Sequence, residues 1–196
     1  EALTAVTADP RQTMMLSDTV EKWGWRSEAI DLLWLVAKDP VKGDDALTAL
    51  HRYFVRNGDA ENLYRVLLHR LELHPDDRNV QNNFAQLSLL LNLNPERGQK
   101  IAREIYEKEP ANPAYASTYA FALHAQGETK KALKVLEGLT PGQLHEPAIA
   151  AYYGIILAAA GEQTRAGEFL ELGEKATLLP QEKALVEKAR RSLAQR

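Results

Sequence analysis

Cysteine is absent from the 196 residues, which removes disulfide frameworks, thiolate nucleophiles and cysteine zinc sites together. That absence leaves the redox compartment open. An excess of either charge is missing too: 24 Lys and Arg against 27 Asp and Glu leave a net charge of −3. Such a balance offers no basic footprint for nucleic acid and no polybasic anchor for a membrane surface. Apolar runs are short, and the stretch from Gly154 to Gly161 falls far below the roughly 18–20 residues that span a bilayer. The first residues, Glu1-Ala2-Leu3-Thr4, have neither the basic segment nor the apolar core of a signal peptide. The expectation is a soluble chain without direct membrane insertion, and both cytoplasm and periplasm fit it. Hydrophobic residues at 45% and charged residues at 26% argue for a folded chain and against disorder.

Catalytic signatures are missing as well. No GxSxG, HExxH, GxGxxG or Walker pattern occurs. The five histidines, His51, His69, His74, His124 and His145, include no pair spaced i, i+4 on one helix face, so they read as isolated side chains. The acidic pairs Asp44-Asp45 and Asp76-Asp77 stand at helix starts, where capping explains them. No catalytic residue, metal or cofactor is expected, and the chain reads as a non-enzyme.

What the chain does contain is a fixed interval. Gly24, Gly58, Gly127 and Gly161 are separated by 34, 69 and 34 residues, and 69 is two periods plus one. One glycine is missing and one residue inserted. Each glycine divides a unit into two helical patterns with apolar residues three and four apart. Tyr153, Gly154 and Leu157 precede Gly161, and Ala166 and Leu170 follow it. Tyr119, Ala120 and Leu123 stand likewise before Gly127, with Ala132 and Leu136 after it. The first unit repeats this with Leu16, Val20, Ala29 and Leu33, the second with Leu50, Phe54, Leu63 and Leu67. A glycine at the turn ends the first helix in a left-handed conformation. Asp59, Glu128 or Glu162 then lies near the positive end of the next helix. Proline closes units at Pro40, Pro75 and Pro110.

With this period and these residues the chain resembles the tetratricopeptide repeat family. The resemblance covers residues 10 to about 180 as five units, about 10–43, 44–77, 78–112, 113–146 and 147–180. It implies an all-α solenoid of antiparallel helix pairs in a right-handed superhelix, the first helix of each pair lining a concave groove. Two units depart from the pattern. The third has Asn92 at the turn and Gly98 where alanine is usual, implying an inserted residue and an altered helix angle. The second has His51 and Leu63 at small-residue positions, implying a wider helix pair. Residues 1–9 match the end of a second helix, since Leu3, Val6, Asp9 and Pro10 repeat as Leu33, Val36, Asp39 and Pro40. A natural chain continuing upstream is therefore expected. Residues 181–196 form an amphipathic helix with a basic last turn, expected to cap the final pair.

The resemblance implies a protein-interaction scaffold that binds an extended peptide or a partner helix. Inward-facing positions, counted back from each turn, are Met14, Met15 and Asp18, then Arg52, Val55 and Arg56. Asn79, Asn82, Asn83 and Gln86 follow, then Ser117, Thr118, Phe121 and His124, then Tyr152, Ile155 and Ala159. The four amides form one helical stripe. Side-chain amides donate and accept, which suits a peptide backbone, and groove asparagines of some family members act so. The same stripe also fits a hydrated face, or amides that tie helices together. Arg52 and Arg56 suit an acidic side chain or a terminal carboxylate. Only Asn83, with Arg52 as a substitute, resembles part of the family's carboxylate clamp, so chaperone-tail binding is not supported. Phe121, Tyr152 and Ile155 read either as an apolar shelf or as inter-helix packing. Trp23 and Trp34 read as core, whereas Trp25 covers an upstream segment or packs at its turn. An alternative is a structural repeat arm of a larger enzyme or envelope assembly protein, with no ligand of its own. A third is a homo-oligomer joined through Met14, Met15 and Trp25. The sequence leaves oligomeric state and partner identity open.

Overall fold

Without a Cβ, glycine enters left-handed backbone at no steric cost, and four turns depend on this. The computed structural model describes residues 9–194. Gly24, Gly58, Gly127 and Gly161 have φ of 86°, 66°, 82° and 88°. At the turn without a glycine, Asn92 adopts φ 54°, a conformation that asparagine tolerates better than most side chains. Past each of the five, the next N–H reaches back five residues. Trp25 donates to Val20, Asp59 to Phe54, Leu93 to Ser88, Glu128 to Leu123 and Glu162 to Leu157, at 2.9–3.0 Å. This closure satisfies carbonyls that the first helix would leave bare, and it reverses the chain. The turns recur at intervals of 34, 34, 35 and 34, so the extra residue falls between Asn92 and Gly127.

The chain divides into two compact units, Glu1–Glu72 and Leu73–Arg196. The first contains α1 (Pro10–Lys22), α2 (Arg26–Val36), α3 (Gly43–Asn57) and α4 (Ala60–Leu73), whose final residue passes the boundary. The second contains α5 (Arg78–Leu91), α6 (Pro95–Lys108), α7 (Pro113–Ala125), α8 (Thr129–Leu136), α9 (Pro141–Leu144), α10 (Pro147–Ala160), α11 (Gln163–Gly173) and α12 (Pro180–Ala194). Among the described residues all regular structure is helical. Of the expected helix tail at residues 1–9, residues 1–8 lie outside them, and Asp9 caps α1.

Starts are fixed by short polar side chains. Asp9 accepts from the Arg11 N–H, Asp77 from Asn79 and Val80, and Asn112 from Ala114 and Tyr115. Proline stands in the first turn of α1, α6, α7, α9 and α10, where its missing N–H costs nothing. A one-turn helix unforeseen from the sequence, α9, is set by a reciprocal capping pair between Thr140 and Gln143.

In the first unit α1 packs on α2 and α2 on α3. Ala46, Leu47 and Leu50 are fully buried there, with Phe54 at 2%. His51 is half-buried and Leu63 buried. Trp34 is partly buried against Phe54, and Arg65 stacks on it at 4.9 Å. Trp23 corrects the core expectation: it is 63% exposed and meets only the edge of Trp25, itself 55% exposed, at 5.5 Å. Trp23 follows the last residue of α1 and Trp25 precedes the first of α2, so neither ring lies on a helix's apolar stripe.

In the second unit the close pairs are α5–α6, α7–α8 and α10–α11, each joined by a short turn that makes the partners antiparallel. Backbone contact is tight where a side chain is missing. A Cβ on Gly173 would lie 2.5 Å from Ala151 Cα, one on Gly154 2.8 Å from Leu170 N, and one on Gly98 2.8 Å from Ser88 Cβ. Gly98 therefore takes the place of the usual alanine because α5 and α6 approach too closely for a methyl. Helix α10 is buried from Ile149 to Ala158 on every side. A helix apolar all round requires neighbours all round, and the last of them is α12. That helix lies chiefly along α10, touches α11 less, and reaches back to α5. The expected terminal cap thus rests more on α10 than on α11 of the final pair.

Candidate interaction site

In the first unit Arg52 and Arg56 sit one turn apart on α3, both exposed. They line a depression of about 480 Å³ with Asp18 and Glu21 of α1. Arg56 Nη2 lies 3.5 Å from Glu21 Oε1, and its guanidinium stands 5.9 Å from the Tyr53 ring centre. Met14, Asp18 and Arg52 share an adjoining depression. Met15 lines neither and is 70% exposed. The arginines are thus already flanked by carboxylates, and the surface is charge-balanced rather than purely cationic.

In the second unit the amide stripe of α5 divides by burial. Asn83 is exposed, and Asn79 is exposed while its Oδ1 accepts from the Tyr115 hydroxyl at 3.2 Å. Asn82 is 5% exposed and its Oδ1 has no hydrogen-bond partner. Gln86 is engaged: its Nε2 donates to Tyr152 Oη at 2.9 Å and to Glu182 Oε1 at 3.0 Å. Tyr152 donates in turn to the same Glu182 oxygen at 2.6 Å. The second carboxylate oxygen accepts from the Leu179 N–H at 2.8 Å. Glu182, in the first turn of α12, is 6% exposed and so is wholly served by neutral donors inside the fold.

Phe121 meets Tyr152 edge to face at 5.0 Å, and Leu185 of α12 packs on their cluster. Burial, and then the Glu182 charge, hold the Tyr152 hydroxyl well above its ordinary pKa, so it stays a donor. His124 is half-buried, its Nδ1 3.1 Å from Thr129 Oγ1. Burial first, then Lys188 of α12, lower its pKa from the ordinary 6.5.

The positions read as inward-facing therefore have three fates. Arg52, Arg56 and Asn83 are open. Gln86, Phe121, Tyr152 and His124 gather around α12. Ser117 and Thr118, each 4% exposed, are buried rather than offered to solvent. Ile155 is buried too, while Ala159 is exposed. Sequence reasoning missed Glu182. Two signals pointed to it: a tyrosine hydroxyl on a helix apolar all round, and a glutamate two residues after the proline that opens the last helix. Among the described residues no group of three or more His, Asp or Glu is placed to hold a metal ion, and no helix is long and apolar enough to cross a membrane.

No family model matches the chain, and no curated protein matches it. Solved structures do. The MamA RS-1 ArsTM double mutant is similar over 93% of this chain and 95% of its own, with 14% identity and a TM-score of 0.55. TTC0263, a thermophilic TPR protein of Thermus thermophilus, is similar over 95% of this chain and all of its own, with 16% identity and a TM-score of 0.54.

Proposed function

From the premise that this chain has the tetratricopeptide-repeat fold, we propose that it is a non-catalytic scaffold binding a segment of a partner protein on its inner helices. The observation that carries the reading is Asn82. Its carbonyl oxygen is buried and unpartnered within an amide stripe, and a buried acceptor of that kind is costly unless a donor reaches it. A turn of the Asn82 side chain toward solvent would let a peptide backbone N–H from a segment lying along α5 supply the donor, with exposed Asn83 beside it. Folded helices order little on binding, so the ligand bears most of the entropic cost.

The test is affinity capture from the native host with the full chain and with Asn82→Leu, a near-isosteric change that removes the polar group. Partners retained by the first and lost by the second support the reading. Identical protein sets from both overturn it.

Exposed Trp23 and Trp25 favour a second reading for the first unit, in which it is an arm that packs on another polypeptide. Adjacent exposed indoles mark contact surfaces more often than solvent-facing decoration. Acrylamide quenching of tryptophan emission would be reduced in the larger assembly relative to the chain alone; equal quenching removes this reading.

A further inference from the structure

We propose that the depression between α2 and α4, the second helices of the first two pairs, is a docking site for a partner segment carrying a glutamate or aspartate beside a bulky apolar side chain. The site belongs wholly to the first unit. It goes beyond the reading of the inner helices and shares no residue with it.

Helix register brings the site together. Asp31, Leu35 and Lys38 recur four and three apart on α2 and the turn that follows it, and Arg65 and His69 stand one turn apart on α4. These residues and the partly buried Trp34 line a depression of about 300 Å³. The Trp34 ring has Phe54 at 6.5 Å and His69 at 5.6 Å, which hold it in place. Leu35 beside it is 46% exposed, a large apolar side chain that the fold leaves uncovered.

Arg65 supplies the recognition chemistry. Its guanidinium stands 4.9 Å from the Trp34 ring centre, and its Nη1 donates to Asn62 Oδ1 at 2.9 Å. Those contacts orient the group and engage only part of its donor set. Among the described residues no carboxylate pairs with Arg65, nor with Lys38, which lines the same depression. Arg56 on the inner helices, by contrast, already has Glu21 at 3.5 Å. Two permanent cations against the carboxylate of Asp31 leave the lining with positive charge in excess. The remaining Arg65 donors form a planar fork suited to a carboxylate, and a fork oriented before binding loses little freedom on contact. Tryptophan and arginine are also the side chains on which interface energy concentrates. A ligand carboxylate meets Arg65 and Lys38, and its apolar neighbour covers Leu35 and the open part of Trp34.

The probe is an acetylated, amidated tripeptide of glutamate, phenylalanine and glutamate, with a lysine, phenylalanine and lysine peptide as its control. The readout is the nuclear magnetic resonance of the indole N–H groups in the full chain carrying isotopically labelled tryptophan, assigned with Trp23→Phe and Trp25→Phe. The acidic peptide should move the Trp34 resonance saturably and leave Trp23 and Trp25 in place, whereas the basic peptide should move none. Arg65→Ala should weaken binding about tenfold. Arg65→Lys, which keeps the charge without the fork, should recover only part of that loss. Leu35→Glu removes the apolar contact and adds a like charge, and it should abolish binding.

An unmoved Trp34 resonance, or an equal response to both peptides, overturns the inference. Unchanged affinity in Arg65→Ala does so as well. If that variant loses its circular dichroism, Lys38→Glu, on an exposed side chain, takes its place. It should weaken the acidic peptide, and unchanged affinity again overturns the inference. Inorganic phosphate that moves Trp34 as far as the acidic peptide overturns the protein-segment assignment in favour of a free oxyanion. Movement of Trp34 on dilution of the chain alone overturns it in favour of self-association. Asn82→Leu should leave the titration unchanged, so failure at this site and failure of the inner-helix reading are told apart.

Discussion

Tyr152 donates to Glu182 at 2.6 Å across 30 residues of sequence, inside a site where the carboxylate is 6% exposed. The tyrosine cannot turn to solvent for another acceptor, nor the glutamate for another donor. Tyr152→Phe should lower stability by about 1–3 kcal/mol, because a buried acceptor is left with fewer donors. Thermal melts followed by far-ultraviolet circular dichroism measure this. Arg190→Ala, which removes only an exposed ion pair, should change the midpoint by less than about 1 kcal/mol equivalent.

Two glycines of α11 should respond with opposite sign. Gly173→Ala drives a Cβ to 2.5 Å from Ala151 Cα and 2.7 Å from Ala151 N, so backbone must move. The expected loss is about 1–3 kcal/mol or more. At Gly167 no heavy atom beyond its chain neighbours and its own helix backbone lies within 4 Å of the place a methyl would take, and Gly167→Ala should gain about 0.5–1 kcal/mol by restricting the unfolded chain. Urea titration of both variants checks the pair.

The first unit has its own probe. Trp23, Trp25 and Trp34 all belong to it, and the Trp34 ring lies 6.5 Å from Phe54. Phe54→Ala empties a site that is 2% exposed and should cost about 3–5 kcal/mol. Tryptophan emission should report the loss as an earlier unfolding midpoint.

Acid should destabilise the chain in a defined direction. His124 is lowered by burial and then by Lys188, and His51 by burial and then by Arg70. In the interval below 6.5 the unfolded state binds more protons than the folded state, so stability drops as pH falls through it. Melting midpoints should fall between about pH 7 and about pH 5.5. A His51→Asn, His124→Asn double variant should flatten that slope.

Much of this could be read from the chain alone, because the information was local. A turn needs only its own few residues to be left-handed, so four glycines at a fixed interval declared the helix pairs, and the gap at Asn92 declared its own substitute. The all-α class followed from the three-and-four spacing around each turn. Burial was less legible: Trp23 reads as core by type, but its position past a helix end directs it to water.

The occupant of the inner face was a tertiary decision. Gln86 and Glu182 are 96 residues apart, and nothing near either one specifies the other. Local sequence determined that α12 is a helix with one apolar side. Which surface receives that side depends on how α5, α7 and α10 assemble their donors and rings, and that arrangement exists only once the helices are packed.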